Sequence, residues 1–378
     1  MMRVGIDYTA AVQQKAGIGR YTRGLVSGLI RFDQDNRYVL FSAGQDPEYR
    51  YWPRNFSLKE LPISDQKLTA LWQRLRLPLP VELITGLVDI YHSPDFVLPP
   101  VMAARTVLTV HDLSFMRHPE CSPPALLDYL IEAVPRSVER ADLIVADSKS
   151  TRRDLMDLLE VPAEKILVLY PGLESHFYPL QNDYLLRRLL ERYDIGYPYI
   201  LAVGTLQPRK NFVRLIKAYN ILVREYHLPH KLVIVGSKGW LYDEIEETIS
   251  DLRLEGRVQL TGFVKDEDLP YVYSAADVFA FPSLYEGFGI PILEAMACGT
   301  PVVTSSVSSM PEVAGDAALL VSPYDVEALA STLWLVIDDI FLQHELCLRG
   351  FKRRKQFDWR ETAKKLVRAY RRLLVNGR

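Results

Sequence analysis

Cysteine is scarce in this chain: Cys121, Cys298 and Cys347 lie far apart, with no Cys-x-x-Cys. So sparse and odd a set excludes a disulfide framework and offers no zinc-binding pattern. Long apolar runs are also missing. No stretch reaches the ~18 consecutive apolar residues of a membrane-spanning helix. The N-terminal MMRVGIDYTA enters a strand-like run directly, without the form of a cleavable leader. The expectation is a cytoplasmic protein whose contact with a membrane is at most peripheral, at its inner face. An excess of either charge is lacking too. The 45 Lys and Arg against 47 Asp and Glu leave a net charge of −2, so the whole-protein field gives no reason to expect nucleic acid. What is there is ordinary for a globular chain, 48% hydrophobic and 24% charged. At 378 residues, two domains are expected.

Short runs rich in Val and Ile alternate with longer segments of helical periodicity. They begin at Val4, Tyr38, Asp89, Thr106, Leu143 and Ile166, then at Tyr199, Lys231, Val258, Val278, Thr300 and Ala318. Continuous apolar strands separated by helices predict parallel sheets covered on both faces. The fold class is therefore α/β, with two Rossmann-like domains facing each other across a cleft. The first spans 1–178 and the second 195–355, divided near YPGLESHFYPLQNDYLLRRLLERYDIGYPYI. The basic, amphipathic tail 356–378 is expected to return to the first domain with its charges in water. In such sheets ligands bind beyond the carboxyl ends of the strands.

One strand end is dense in chemistry. The stretch SLYEGFGIPILEAMACGTPVV (283–303) holds Glu286 and Glu294, with Gly287, Phe288 and Gly289 between them. Pro291 suits the first turn of a helix and Gly299 its end. Glycine lets the backbone approach a ligand closely, and the amides of 287–290 would open a helix N-terminus, a natural anion site. Carboxylates beside an anion make sense if they accept hydrogen bonds from vicinal diols. A ligand with phosphates in the middle and polyols at both ends is a nucleotide sugar. The other reading is an acidic helix start that satisfies its own dipole, and the stretch alone does not choose. Elsewhere, VGTLQPRKN places Arg209 and Lys210 past a strand end, as diphosphate-neutralising cations or as an exposed basic turn. AGIGRY gives Gly17 in a glycine loop, and TVHD sets His111 at a strand end, as a ligand group or a satisfied edge residue.

Together, Glu286-x7-Glu294, the Pro-Arg-Lys-Asn turn, the Gly-Ile-Gly-Arg-Tyr loop and the strand-end His-Asp resemble the retaining glycosyltransferases of family 4 (group 1), over nearly the whole chain. The resemblance implies the GT-B fold and a nucleotide-sugar donor. It implies that Glu286 holds the donor sugar's hydroxyls and Glu294 the ribose diol. Arg209 and Lys210 would neutralise the diphosphate, and the Gly287, Phe288 and Gly289 loop would lie against sugar and phosphate. Gly17 would approach the phosphates, His111 would touch the donor sugar, and Val264 would meet the base through its backbone. One departure concerns Thr205, where many relatives carry an arginine, a task that falls here to Arg209. No cofactor or metal is implied. Asp33-Gln34-Asp35 is formally Asp-x-Asp, but it reads as a solvated turn.

The implied activity is transfer of a mannose- or glucose-type hexose to a glycan or lipid-linked acceptor, as in bacterial surface polysaccharide synthesis. The stretch 66–80, with Trp72, Lys67, Arg74 and Arg76, reads as an ordinary helix packed on its sheet, or as one lying on an anionic membrane. The alternatives are a synthase of the same fold using a soluble sugar phosphate, or a nucleotide-sugar epimerase or sensor. The synthase needs further cations, for which Arg20, Arg105 and Arg117 are candidates.

Overall fold

The computed structural model describes residues 1–14, 17–46, 51–180 and 183–375. Ala16 of the glycine loop and the last residues of the 356–378 tail lie outside them. The chain divides into two compact units. One comprises Met1–Met116, Ala125–Gly172 and Phe357–Arg378, the other Arg117–Pro124 and Leu173–Gln356.

The first unit is built on strands β1 (Arg3–Asp7), β2 (Arg37–Ala43), β3 (Phe56–Leu61), β4 (Ile90–Ser93), β5 (Arg105–Val110), β6 (Leu143–Ala146) and β7 (Ile166–Val168). They form one parallel sheet in the order β3-β2-β1-β4-β5-β6-β7. The central strands are buried on both faces, as their unbroken apolar runs require. β3 is the strand that the apolar runs do not announce. Its sequence FSLKEL alternates, and as an edge strand it leaves Ser57, Lys59 and Glu60 exposed.

Two helices cover one face together. Helix Ile18–Phe32 presents Tyr21, Leu25, Val26 and Leu29, and the terminal helix Trp359–Val375 presents Trp359, Ala363, Leu366, Val367 and Tyr370. Both sets follow helical spacing, so each apolar stripe is removed from water. Gly24 and Gly28 set how closely they pack. A Cβ on Gly28 would fall 2.4 Å from the Trp359 carbonyl oxygen, and one on Gly24 would fall 2.2 Å from its indole. The terminal helix is also pinned to the sheet: His92 Nδ1 lies 2.6 Å from the Tyr370 hydroxyl, and Nε2 lies 2.8 Å from Thr109 Oγ1. Burial, reinforced by the charge on His111, pushes His92 down to about 3, so it is neutral.

The second unit holds β8 (Tyr199–Val203), β9 (Lys231–Val235), β10 (Val258–Gly262), β11 (Val278–Phe281), β12 (Val302–Ser305) and β13 (Leu319–Val321). They form a parallel sheet in the order β10-β9-β8-β11-β12-β13. Helices Phe212–Glu225 and Val326–Asp338 join the strands in one core that includes Leu215, Ile216, Tyr219, Leu222, Leu329 and Leu333.

The division differs from the sequence expectation at one place in particular. Residues 117–124 belong with the second unit. The Trp240 indole donates to the Cys121 carbonyl at 2.7 Å, and Pro119 and Pro123 lack the amide hydrogens that continuing helix Ser114–Arg117 would need.

Candidate active site

In the second unit, three polypeptide turns converge beyond the ends of β8 and β11. After β8 the chain makes a 3₁₀ turn, Pro208–Lys210, closed by Asn211 in a left-handed conformation (φ 62°). Asn211 Nδ2 donates to the carbonyls of Pro282 (2.9 Å) and Pro323 (2.7 Å), fastening the turn to the end of β11. The Leu284 amide bonds the Arg209 carbonyl at 2.9 Å. The loop 283–289 then leads into helix Ile290–Cys298, with Gly289 at its N-cap (φ 105°) and Gly299 at its C-cap (φ 81°). Proline in the first turn and glycine after the last therefore mark both ends, as their backbone preferences dictate.

Those turns bring Glu286, Arg209 and Lys210 together. Arg209 Nη1 donates to Glu286 Oε2 at 2.8 Å, and Lys210 Nζ donates to Oε1 at 2.6 Å. The same guanidinium nitrogen reaches the Tyr285 carbonyl at 2.7 Å. Lys210 Nζ also lies 5.1 Å from the centre of the Phe281 ring. All three side chains are largely buried. Burial on its own would raise the Glu286 carboxyl, but the two cations and their hydrogen bonds hold it at about 2. Two cations against one carboxylate leave this strand end net positive.

The loop is held from its carbonyl side by residues that the sequence did not single out. Ser309 Oγ donates to the carbonyls of Glu286 and Phe288, both at 2.8 Å, and Ser308 Oγ donates to the Glu286 carbonyl at 2.5 Å. Their signal is the serine-rich SSVSSM that follows β12. Phe288 is buried against the loop, and Gly287 lies beside it.

Glu294 sits on the same helix but is fully buried, and its Oε2 accepts from the Tyr273 hydroxyl at 2.8 Å. Tyr273 was not anticipated. Val264, two residues beyond the left-handed Gly262 (φ 73°), is also buried.

The first unit carries His111 and Gly17 at the carboxyl edge of its sheet. His111 Nδ1 lies 2.7 Å from Asp147 Oδ2, and Nε2 lies 2.9 Å from the Pro94 carbonyl oxygen. Both partners are acceptors, so both ring nitrogens carry hydrogen and the ring is an imidazolium. Burial opposes this, but Asp147 outweighs it and raises His111 to about 9. Gly17 (φ 56°) caps helix Ile18–Phe32 and is exposed. One turn on, Tyr21 sets its ring edge against His111 at 4.7 Å, so helix and histidine form one assembly.

Three further sequence readings change. Asp33 is not in a solvated turn. It is buried and accepts from the Tyr38 hydroxyl (2.5 Å) and Asn36 Nδ2 (2.6 Å), because the chain needs those donors satisfied between helix and β2. Arg105 opens β5 at the amino edge of the sheet, paired with Asp142 at 2.9 Å, and so lies far from the strand ends where a phosphate would bind. The stretch 66–80 is not one helix. It comprises Asp65–Thr69, a wider turn Ala70–Arg74 and an irregular run from Leu75, with residues 75–79 all exposed. Among the described residues, no cluster of three or more His, Cys, Asp or Glu has metal-holding geometry, and no helix is long and apolar enough to cross a membrane.

Comparison with known proteins adds independent findings. The family described as glycosyl transferases group 1 matches residues 191–353, and glycosyltransferase family 4 matches residues 16–177. The chain is 37% identical over 283 residues to O-antigen chain mannosyltransferase B of Escherichia coli, covering 75% of this chain and 74% of that protein. It is 30% identical over 282 residues to the serotype-specific mannosyltransferase WbdA of Escherichia coli, which covers 72% of this chain but only 34% of that much longer protein. Among solved structures, sucrose-phosphate synthase of Thermosynechococcus elongatus superposes with a TM-score of 0.78 over 100% of both chains at 21% identity, a likeness of fold.

Proposed function

We propose, from the premise that this chain belongs to the group 1, family 4 glycosyltransferases, that it is a retaining hexosyltransferase. Its donor is a nucleoside-diphosphate hexose of the mannose or glucose type. Its acceptor is a glycan or lipid-linked glycan of a bacterial surface polysaccharide. The observation that carries the reading is the Arg209–Lys210–Glu286 cluster at the N-terminal end of helix Ile290–Cys298. The names of the O-antigen mannosyltransferases support mannose as the first sugar to test.

The chemistry follows from charge. As the bond to the anomeric carbon breaks, negative charge grows on the diphosphate and positive charge on the sugar. Arg209 and Lys210 are pre-positioned to take the leaving oxyanions, aided by the positive end of the helix dipole. Because Glu286 now bonds both cations, an arriving diphosphate competes for them and leaves the carboxylate able to accept from sugar hydroxyls. Gly287, Phe288 and Gly289 are assigned to the sugar and phosphates, Gly17 to the phosphates, Val264 to the base and Glu294 to the ribose. The cations and the helix end supply the positive field, so no divalent metal is required. His111, whose two ring nitrogens are both engaged, is assigned to the donor sugar as a binding contact and not as a base.

The acceptor side includes a peripheral membrane contact at the cytoplasmic face. Support comes from the first unit, where Leu75, Leu79, Leu83, Leu87 and Met102 are 65%, 46%, 73%, 67% and 68% exposed. The run is held together by Val81 N to the Pro100 carbonyl (2.9 Å) and by Glu82 Oε1, which accepts from the Met102 amide (2.9 Å). Lys67 and Arg74 are exposed on the approach to it and suit anionic headgroups.

A thermal-shift panel of UDP, GDP, ADP and their hexoses, followed by turnover of the selected donor with and without acceptor glycan, tests the reading. A ligand at a hundred times its Kd adds ~2.7 kcal/mol of stability. Acceptor-dependent sugar transfer with retained anomeric configuration is expected. Hydrolysis or epimerisation without acceptor overturns it.

A further inference from the structure

The segment 117–124 leaves the first unit after Met116 and rejoins it at Ala125, and in between it belongs to the second unit. It is a tight piece of chain. The Cys121 amide bonds the His118 carbonyl at 3.0 Å, the Ser122 amide bonds that of Pro119 at 3.1 Å, and Trp240 holds the Cys121 carbonyl from the loop after β9. Its other anchor is a ring contact. His118 packs on Tyr285 with 6.0 Å between ring centres at 57°.

Tyr285 is the residue before Glu286, and its carbonyl takes Arg209 Nη1. The segment therefore carries His118 to within one residue of the paired cations. The imidazole is also set chemically. Glu120 Oε1 lies 3.1 Å from Nδ1, and a carboxylate there keeps the proton on Nδ1, leaving the Nε2 lone pair as an acceptor. The side chain is 20% exposed, enough for Nε2 to meet a ligand. The arrangement presents an oriented imidazole beside the loop that carries Glu286.

We infer that His118, oriented by Glu120, accepts a hydrogen bond from a hydroxyl of the donor's hexose and helps decide which sugar is transferred. The inference rests on the proposed nucleotide-sugar reading and adds a sugar-reading residue from a segment the sequence assigned to the other domain. A site that hydrogen-bonds a particular hydroxyl discriminates strongly against donors that misplace it.

The test measures kcat/KM for GDP-mannose and GDP-glucose, with Kd for GDP, in the unaltered protein and in His118→Ala, His118→Gln and Glu120→Gln. His118→Ala is expected to lower kcat/KM for the preferred donor about tenfold or more, to shrink the preference between the two epimers, and to leave Kd for GDP within twofold. His118→Gln, whose amide oxygen also accepts, should recover part of the loss, and Glu120→Gln should show a smaller loss than His118→Ala. If His118→Ala leaves kcat/KM and the epimer ratio within twofold, or weakens GDP as much as it weakens GDP-mannose, the inference is wrong while the functional reading stands. If the unaltered protein transfers neither sugar from GDP, UDP or ADP, the functional reading fails and the inference falls with it.

Discussion

Both sheets end in a buried ion pair at their carboxyl edge, but the two are built the opposite way round. In the first unit one imidazolium, His111, faces carboxylates. Asp147 is bonded to it, and Asp95 and Asp7 lie close enough for their charges to act on the same region. Burial, with added repulsion from Asp95 and Asp65, raises Asp7 to about 6 despite its bonds to Thr9. In the second unit one carboxylate, Glu286, faces two cations. The cation excess of the second edge is what attracts a diphosphate. An uncharged polyol suits the first, because carboxylates accept readily from hydroxyls. The two carboxyl edges thus differ in the charge they present: carboxylates around one cation in the first unit, cations around one carboxylate in the second.

The largest effect expected is on the second edge. Arg209→Ala and Lys210→Ala should each lower kcat/KM for the donor ~10²–10³-fold, corresponding to ~2.7–4 kcal/mol of transition-state stabilisation. Steady-state rates unchanged by either substitution would reduce this turn to a surface feature.

Next comes a pH signature of the first edge. The folded protein holds His111 at about 9, above the unfolded value near 6.5. The pair's stabilisation is therefore fully present below pH 6.5 and is lost as pH rises through about 9, on the order of 3 kcal/mol in all. Denaturant titrations from pH 6 to 10 should show this alkaline limb, and Asp147→Asn should flatten it. A limb that persists in the variant would assign the titration elsewhere. Glu286 works in the other direction. Held at about 2, it contributes stability above pH 4.5 that is lost as pH falls towards 2. Neutral His92 adds to the same acid side, with loss beginning below pH 6.5.

A smaller split is expected between the two glutamates. Glu286→Gln should lower kcat and impair the sugar donor far more than the bare nucleoside diphosphate, because the sugar changes charge during reaction. Glu294→Gln should chiefly raise the donor KM, since a ribose contact is the same in ground and transition states. Equal effects on diphosphate affinity, with turnover spared in Glu286→Gln, would show that the two ends of the ligand are reversed. Smallest of all, Leu79→Ser with Leu83→Ser should weaken binding to vesicles containing anionic lipid severalfold while leaving transfer to a soluble acceptor intact. Unchanged vesicle binding would remove the leucines from the membrane contact.

The parallel sheets were legible because buried strands write themselves as continuous apolar runs, and Pro291 and Gly299 marked their helix because each fits only one end of it. β3 was not legible, since an edge strand alternates and exposes half its side chains. The individual charges of the second edge could be read, but not their union: Glu286 meets Arg209 and Lys210 across 77 and 76 residues of sequence. Ser308, Ser309, Tyr273 and Asp147 stayed hidden for the same reason, as each acts on a partner that only the fold brings near. His111 could be read as a ligand group or as a satisfied edge residue, and only the fold shows that both its nitrogens are engaged. Nothing local in RHPECSPP reveals that its contacts belong to the other unit.

The central claim is that Arg209, Lys210 and the helix end supply the positive field that holds a diphosphate. Calorimetric titration of the nucleoside diphosphate selected from UDP, GDP and ADP into the protein in EDTA, repeated with Arg209→Ala, tests it most directly. Binding that is unchanged by EDTA and weakened by the substitution is the predicted result. Binding abolished by EDTA, and restored by a divalent cation, would contradict it.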